Sequence, residues 1–327
     1  MPEHSKRLDF HSPLGPLMER FLEEKRVCGY RYERGGLFLL SLDRFLVDQG
    51  LSTPDLPRSM VDHWTAKQAH ERPANQLARV SYVRELARFL VRHDHDAFIP
   101  PSRVVSPLKS DFAPRLFSLG EIREIFLAAD RMRPDRNARF QHIVIPELIR
   151  VLFSCGLRAG EARKLTVGDV DLVDGILHIR KSKFRKDRLV PVAPSLLDRL
   201  RRYASKMGER SARVCFFPNG RGGQHSASTV YTAFRTLLRA SKIPHGGRGK
   251  GPRLHDARHT FAVQRLVRWY REGVDLNAKL PVLATYMGHL DLQGTQRYLH
   301  LIPDLFPHVA TRQEAIFGSV IPVGGEG

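Results

Sequence analysis

His255 and Arg258 stand three residues apart in Leu254-His255-Asp256-Ala257-Arg258-His259-Thr260-Phe261, so on a helix they emerge on one face. A neutral imidazole beside a permanently charged guanidinium places a proton-transfer group next to an anion clamp. Downstream come Tyr286-Met287-Gly288-His289 and Thr295-Gln296-Arg297-Tyr298-Leu299. Upstream, Gly156-Leu157-Arg158-Ala159-Gly160-Glu161 forms a tight corner with a second arginine. Together these residue types point to phosphate chemistry with a tyrosine close by.

Taken singly, each has a plainer explanation. A tyrosine on a helix usually packs, and Arg158 at a glycine corner could cap a helix end. His255 and His259, at i and i+4, could bind zinc, but no HExxH glutamate accompanies them. His93 and His95 suit a loop at a helix end. Cys28, Cys155 and Cys215 are widely spaced without a CxxC, which fits a reducing cytoplasm rather than a disulfide framework.

The charge narrows the partner. The 327 residues carry a net charge of +19, and residues 1–100 contribute only +1 of it. The other +18 lies in residues 101–327, so the second part of the chain is suited to a polyanion, nucleic acid above all. Met1 to His11 lacks the apolar core of a signal peptide, and no apolar run reaches the roughly 18 residues of a membrane span. The expectation is a cytoplasmic protein with no membrane partner.

The elements that must position these residues divide the chain. Residues 1–98 read as four amphipathic helices. Their faces carry Leu14, Leu17 and Phe21, then Phe38, Leu42 and Phe45, then Val61 and Trp64 behind a Ser59 cap, then Val80, Val83 and Leu90. Residues 99–115 are a proline-stiffened basic linker. A capping box, Ser118-Leu119-Gly120-Glu121, starts a second domain over 116–327. There, Ile176–Ile179 and Leu189–Val192 read as strands flanking an intensely basic connection, and helices surround Leu196–Tyr203 and Val230–Leu238. The expected fold is mainly α: a four-helix unit, then an α+β domain, mostly helical, with a small antiparallel sheet. The glycine-rich segment His245–Pro252 is not a phosphate-binding P-loop, because Gly251 is followed by proline.

In order, the chain thus offers Gly156-Leu157-Arg158-x-x-Glu161, a lysine in a β-hairpin, His255-x-x-Arg258, Gly288-His289 and Tyr298. This series resembles the tyrosine recombinase family, the phage-integrase and Xer-like site-specific recombinases. The interval from Arg258 to His289, with Arg268-Trp269-Tyr270-Arg271-Glu272-Gly273, is longer than in compact Xer-type members and is similar to transposon-borne integrases. The resemblance implies that residues 1–98 are a core-binding domain and 116–327 the catalytic domain. It implies that Arg158 and Arg258 hold the scissile phosphate, Tyr298 attacks phosphorus to form a 3′-phosphotyrosyl bond, His255 assists proton movement and His289 hydrogen-bonds the phosphate. Glu161 would brace the Arg158 turn. Lys183 would protonate the leaving oxygen; Lys181 is the alternative, and Lys183 fits the family pattern better because Phe184 to Pro191 follows it. Lys181, Arg185, Lys186, Arg188, Arg248 and Lys250 would touch DNA.

The implied chemistry suits these side chains. Two guanidiniums can neutralise a pentavalent phosphorus by bidentate hydrogen bonds, so neither metal nor other cofactor is expected. A covalent phosphotyrosine keeps the phosphodiester energy, so religation needs no ATP. The expected partners are double-stranded DNA and further copies of the chain, a tetramer in synapsis, linked by the apolar tail around Phe306, Ile316 and Phe317. Three other readings compete: a type IB topoisomerase, an inactive DNA-binding protein, and a metal-dependent nuclease. The last lacks clustered carboxylates for magnesium.

Overall fold

The computed structural model describes residues 8–30, 32–71, 73–101, 114–136, 138–180, 187–247, 251–289, 291, 293–296 and 298. The chain divides into two compact units, Met1–Phe112 and Ala113–Gly327. The linker segment 102–113, the basic connection 181–186, Arg248, Lys250 and the tail after Tyr298 lie outside the described residues, and with them Lys181, Lys183, Arg185 and Lys186.

In the first unit, four helices follow the apolar periodicity: α1 (Gly15–Val27), α2 (Glu33–Asp48), α3 (Arg58–Thr65) and α4 (Pro73–Arg92). Phe21 and Phe89 meet edge-on at 5.4 Å in its core, among Leu17, Leu42, Leu46, Val83 and Leu86. The expected Ser59 cap is not made. Pro57 occupies the cap position of α3, and Ser59 lies one residue inside the helix, since proline's fixed φ starts it earlier. The buried carboxylate of Asp43 accepts hydrogen bonds from the His11 and Ser12 amides and from Ser12 Oγ, which ties the chain's entry to α2.

The second unit opens as its sequence requires. Ser118 Oγ accepts from the Glu121 amide at 3.1 Å and Glu121 accepts from the Ser118 amide at 2.9 Å, a reciprocal cap for α5 (Leu119–Asp130). Helix α6 (Gln141–Cys155) is apolar around most of its circumference, so it is buried on several sides, against α5, α8 (Pro194–Met207) and α10 (Leu254–Arg271). Short α7 (Ala159–Lys164) follows α6, and α9 (Ala227–Ala240) packs on α5 and α6. The sheet is antiparallel in the order β1 (Val170–Asp171), β2 (Ile176–Ile179), β3 (Arg188–Pro191), with Ile179 opposite Arg188 and Leu177 opposite Val190. Both expected strands are present. β1 is an addition, two residues long and therefore without any periodicity to betray it.

Beyond α10 come α11 (Leu276–Met287) and the single turn α12 (Gln293–Gln296). Phe261, Leu266, Leu280, Leu283, Met287 and Tyr298 make a separate apolar cluster where these elements meet. Among the described residues, no helix is long and apolar enough to cross a membrane.

Candidate active site

The last turn of α11 is the plate on which the site is assembled. A helix C-terminus leaves carbonyls without intrahelical partners and carries partial negative charge. Here three consecutive carbonyls each accept from a different arginine. The Tyr286 oxygen accepts from Arg188 Nε at 2.8 Å, the Met287 oxygen from Arg258 Nη2 at 2.6 Å, and the Gly288 oxygen from Arg158 Nη2 at 3.0 Å. The three donors come from β3, α10 and the residue that precedes α7.

Two glycines make the approach possible. Gly156 ends α6 with φ +60°, and its carbonyl accepts from Arg258 Nη1 at 2.7 Å. A Cβ there would stand 2.4 Å from the Phe261 ring. Gly288 ends α11 with φ +67°, and a Cβ would stand 2.8 Å from Arg188 Nη1. Both positions need a left-handed backbone and an absent side chain.

Glu161 anchors the cluster from below. Its carboxylate accepts from the Arg158 amide at 2.9 Å, from Arg158 Nη1 at 2.7 Å, and from Arg188 Nη1 and Nη2 at 3.1 and 2.8 Å. Burial pushes its pKa up, but the bonds and charge of Arg188, then those of Arg158, outweigh this and lower it to about 2. Two guanidiniums therefore share one permanent carboxylate while the third, Arg258, is held by carbonyls alone, and the site keeps an excess of positive charge for an anion. Arg258, 1% exposed, has its pKa lowered to about 10 by burial and by Arg158, and stays charged at neutral pH.

Around this clamp lie the proton-handling groups. His255 is on the first turn of α10, and its pKa is lowered to about 4 by burial and by the charges of Arg258 and Arg158. His289, directly after Gly288, is lowered to about 4 for the same reasons. Both imidazoles are neutral at physiological pH and can accept a proton or a hydrogen bond. Tyr298, 2% exposed, has His259 edge-on at 5.4 Å and His289 in a stacked arrangement at 6.1 Å. His255 and His259 meet edge-on at 4.7 Å. Among the described residues, no three His, Cys, Asp or Glu side chains are grouped to hold a metal ion.

The structure thus brings Arg158, Glu161, His255, Arg258, His289 and Tyr298 together from segments spread over residues 158–298. Arg188 was expected on DNA and requires correction. Its side chain is 7% exposed and its guanidinium is turned inward against Glu161 and the end of α11. A basic tract read from sequence as touching DNA ends in a residue whose partner lies 27 positions away. Thr295 was also missed. It is fully buried, and its Oγ1 shares a 2.7 Å hydrogen bond with His289 Nδ1, fixing the ring. Only the proximity of Thr295 to His289 in sequence could have hinted at it.

Comparison with known proteins gives the architecture its place. Residues 121–304 match the model of the phage integrase family. The integrase/recombinase-type protein y4rB of Sinorhizobium fredii is 32% identical over 305 residues, covering 91% of this chain and 96% of its own length. The tyrosine recombinase XerD of Pseudomonas putida is 28% identical over 296 residues, 87% of this chain and 89% of that one. The XerH site-specific recombinase, solved bound to palindromic difH substrate, shares the fold with a TM-score of 0.62 and 16% identity over 91% of this chain and 84% of that one. The chain belongs to the phage integrase family. It is a tyrosine-type site-specific recombinase, and this membership favours recombination over the topoisomerase, inactive-binder and nuclease readings.

Proposed function

We propose that this recombinase cuts and rejoins double-stranded DNA through Tyr298, whose phenolic oxygen attacks the scissile phosphorus, forms a 3′-phosphotyrosyl bond and expels the 5′-oxygen. Arg158 and Arg258 hold the non-bridging oxygens, His289 adds a hydrogen bond, and His255 receives the tyrosine proton. Lys183, with Lys181 as the alternative, returns a proton to the leaving 5′-oxygen. Attack by a 5′-hydroxyl of a second duplex reverses these transfers and completes the exchange. The arrangement that carries this reading is the pair Arg158 and Arg258 fixed on the Met287 and Gly288 carbonyls, with His289 and Tyr298 beside them.

The four-helix unit serves as the core-binding domain, and the +18 of residues 101–327 supplies much of the phosphate-dependent affinity. Protomers meet on DNA as a tetramer in the cytoplasm, without a membrane partner, and the exchange moves mobile DNA. Lambda integrase and the Tn1549 transposon integrase, solved on DNA, have this fold with TM-scores of 0.59 and 0.57, and XerH was solved on its substrate. The test is Tyr298→Phe on nicked suicide substrates. Binding is expected to persist while the covalent adduct disappears; an adduct that survives would move the nucleophile elsewhere, first to Tyr286 or Tyr270.

A further inference from the structure

We infer that Arg188 is a positioning residue of the reaction: it holds Arg158, through Glu161, and the Gly288-His289 turn, through the end of α11, in the geometry that grips the scissile phosphate. The inference rests on the reading of Arg158 and Arg258 as the phosphate clamp.

The first ground is how the guanidinium is spent. Nη1 and Nη2 donate to the two oxygens of Glu161 at 3.1 and 2.8 Å, and Nε donates to the Tyr286 carbonyl at 2.8 Å. All three nitrogens face protein acceptors and the side chain is 7% exposed, so no face is offered to DNA. A planar fork can serve a carboxylate and a carbonyl on different elements at once. A lysine ammonium is a point charge and cannot hold that geometry.

The second ground is who shares the carboxylate. Glu161 accepts from Arg158 by both the backbone amide and Nη1. With Arg188 in place, two guanidiniums divide one buried charge, and Arg158 retains donors and charge for a phosphate. Without Arg188, Arg158 becomes the sole cation on a buried carboxylate and is drawn fully to it. Neutralisation of Glu161, the other way out, would release Arg158 from its brace. Either outcome degrades the clamp while no group in contact with DNA has changed.

The third ground is Gly288. Besides its positive φ, the absence of a side chain leaves room for Arg188, which a Cβ would crowd at 2.8 Å. The residue directly before His289 thus lies against the Arg188 guanidinium, and the same turn carries the acceptors of Arg158 and Arg258. Arg188 is also the first residue of β3, the strand that follows the lysine-bearing connection, and Tyr286 Oη donates to the Pro191 carbonyl at the other end of that strand.

The test uses full-length protein and suicide DNA with either an ordinary scissile phosphodiester or a methylphosphonate, in which one non-bridging oxygen is a neutral methyl group. Arg188→Met is expected to slow phosphodiester cleavage on the order of 10²-fold, the scale of losing one preorganised donor, with DNA affinity and its salt dependence unchanged. On methylphosphonate, which has no charge for the clamp to neutralise, the deficit relative to wild type should shrink to severalfold. Arg188→Lys, which keeps the charge, should show the same pattern in milder form and serves alone if the methionine variant does not fold. Equal deficits on both substrates would reduce Arg188 to a structural staple. A salt slope lowered by about one would make it a phosphate contact, and full activity of Arg188→Lys would remove any need for the fork. Arg158→Ala in parallel separates the two ideas: if its deficit is also the same on both substrates, the clamp reading fails, whatever Arg188 does.

Discussion

Buried arginines cap helix ends in both units of this recombinase, and they do so with different accounts of charge. In the first unit, Arg79 reaches the end of α3, donating to the Trp64 carbonyl and, at 2.9 Å, to the Ala66 carbonyl, while Glu71 accepts from its Nε at 2.9 Å. One cation meets one anion, with side chains 5% and 8% exposed. At the end of α11, three arginines gather beside one glutamate, which pairs with only Arg158 and Arg188. Between α5, α6 and α8, Arg150 and Arg199 meet Asp130 and Glu147, again in balance. Balanced clusters hold helices together. The unbalanced one, held by helix-end carbonyls, keeps positive charge in reserve, which suits it to an anionic ligand.

The strongest test of that contrast substitutes one arginine in each cluster. Arg258→Ala is expected to lower single-turnover cleavage on the order of 10²–10³-fold or more, since it removes a clamp donor and strands the Gly156 and Met287 carbonyls. Arg79→Met should leave cleavage per folded molecule near wild type and cost about 3–5 kcal/mol of stability, because Glu71 is left buried without its counter-ion. Denaturant titration and cleavage kinetics on the same preparations separate the two. An Arg79 variant with intact stability, or a cleavage-competent Arg258 variant, would erase the distinction.

A second test is pH. His255 and His289 have native pKa values of about 4 against an ordinary 6.5. Between those values the unfolded chain binds protons that the native site refuses, so their contribution to stability is complete above pH 6.5 and is lost as pH falls toward 4. Glu161, ordinary value 4.5 and native value about 2, adds a further loss from pH 4.5 downward. In the first unit, the pKa of Glu71 is lowered, chiefly by its bond to Arg79, so its loss too begins only as pH falls below the ordinary carboxylate value of 4.5. Hydrogen exchange should therefore show α10 and α11 weakening between pH 6.5 and 4.5 while α3 and α4 hold. His289→Gln should reduce that early weakening, leaving the share of His255; an unchanged profile would show that burial and the arginines do not hold His289 neutral.

These contrasts also mark what was legible in sequence. The Ser118–Glu121 cap could be read because both partners lie within one turn, and the amphipathic helices because burial imposes a period. Arg158, His255, Arg258, His289 and Tyr298 were legible as residue types in a familiar order. Arg188 was not. Charge alone cannot distinguish a solvated arginine from a buried one, and the difference lay in Glu161, 27 residues away, and in the α11 carbonyls, nearly 100 residues away. Ser59 was expected as the cap two residues beyond Pro57, the actual cap, because a cap is set by backbone angles, which several nearby candidates could satisfy.

The smallest expected effect concerns Thr295. Its hydroxyl, fully buried, meets His289 Nδ1 at 2.7 Å, so Nε2 is the nitrogen left to face the clamp. A ring held at one nitrogen by a hydroxyl keeps a defined orientation, in which it stacks beside Tyr298. Thr295→Val preserves the shape and removes the bond. One hydrogen bond contributes roughly 1 kcal/mol net, so cleavage should fall by about fivefold to tenfold, with DNA affinity unchanged. Thr295→Ser restores the hydroxyl without the methyl group and should recover most of the rate. If valine is as fast as wild type while serine is slow, the methyl packing matters and the bond does not; His289 would then be oriented by the α11 turn alone, and the three arginines that hold that turn would carry its alignment too.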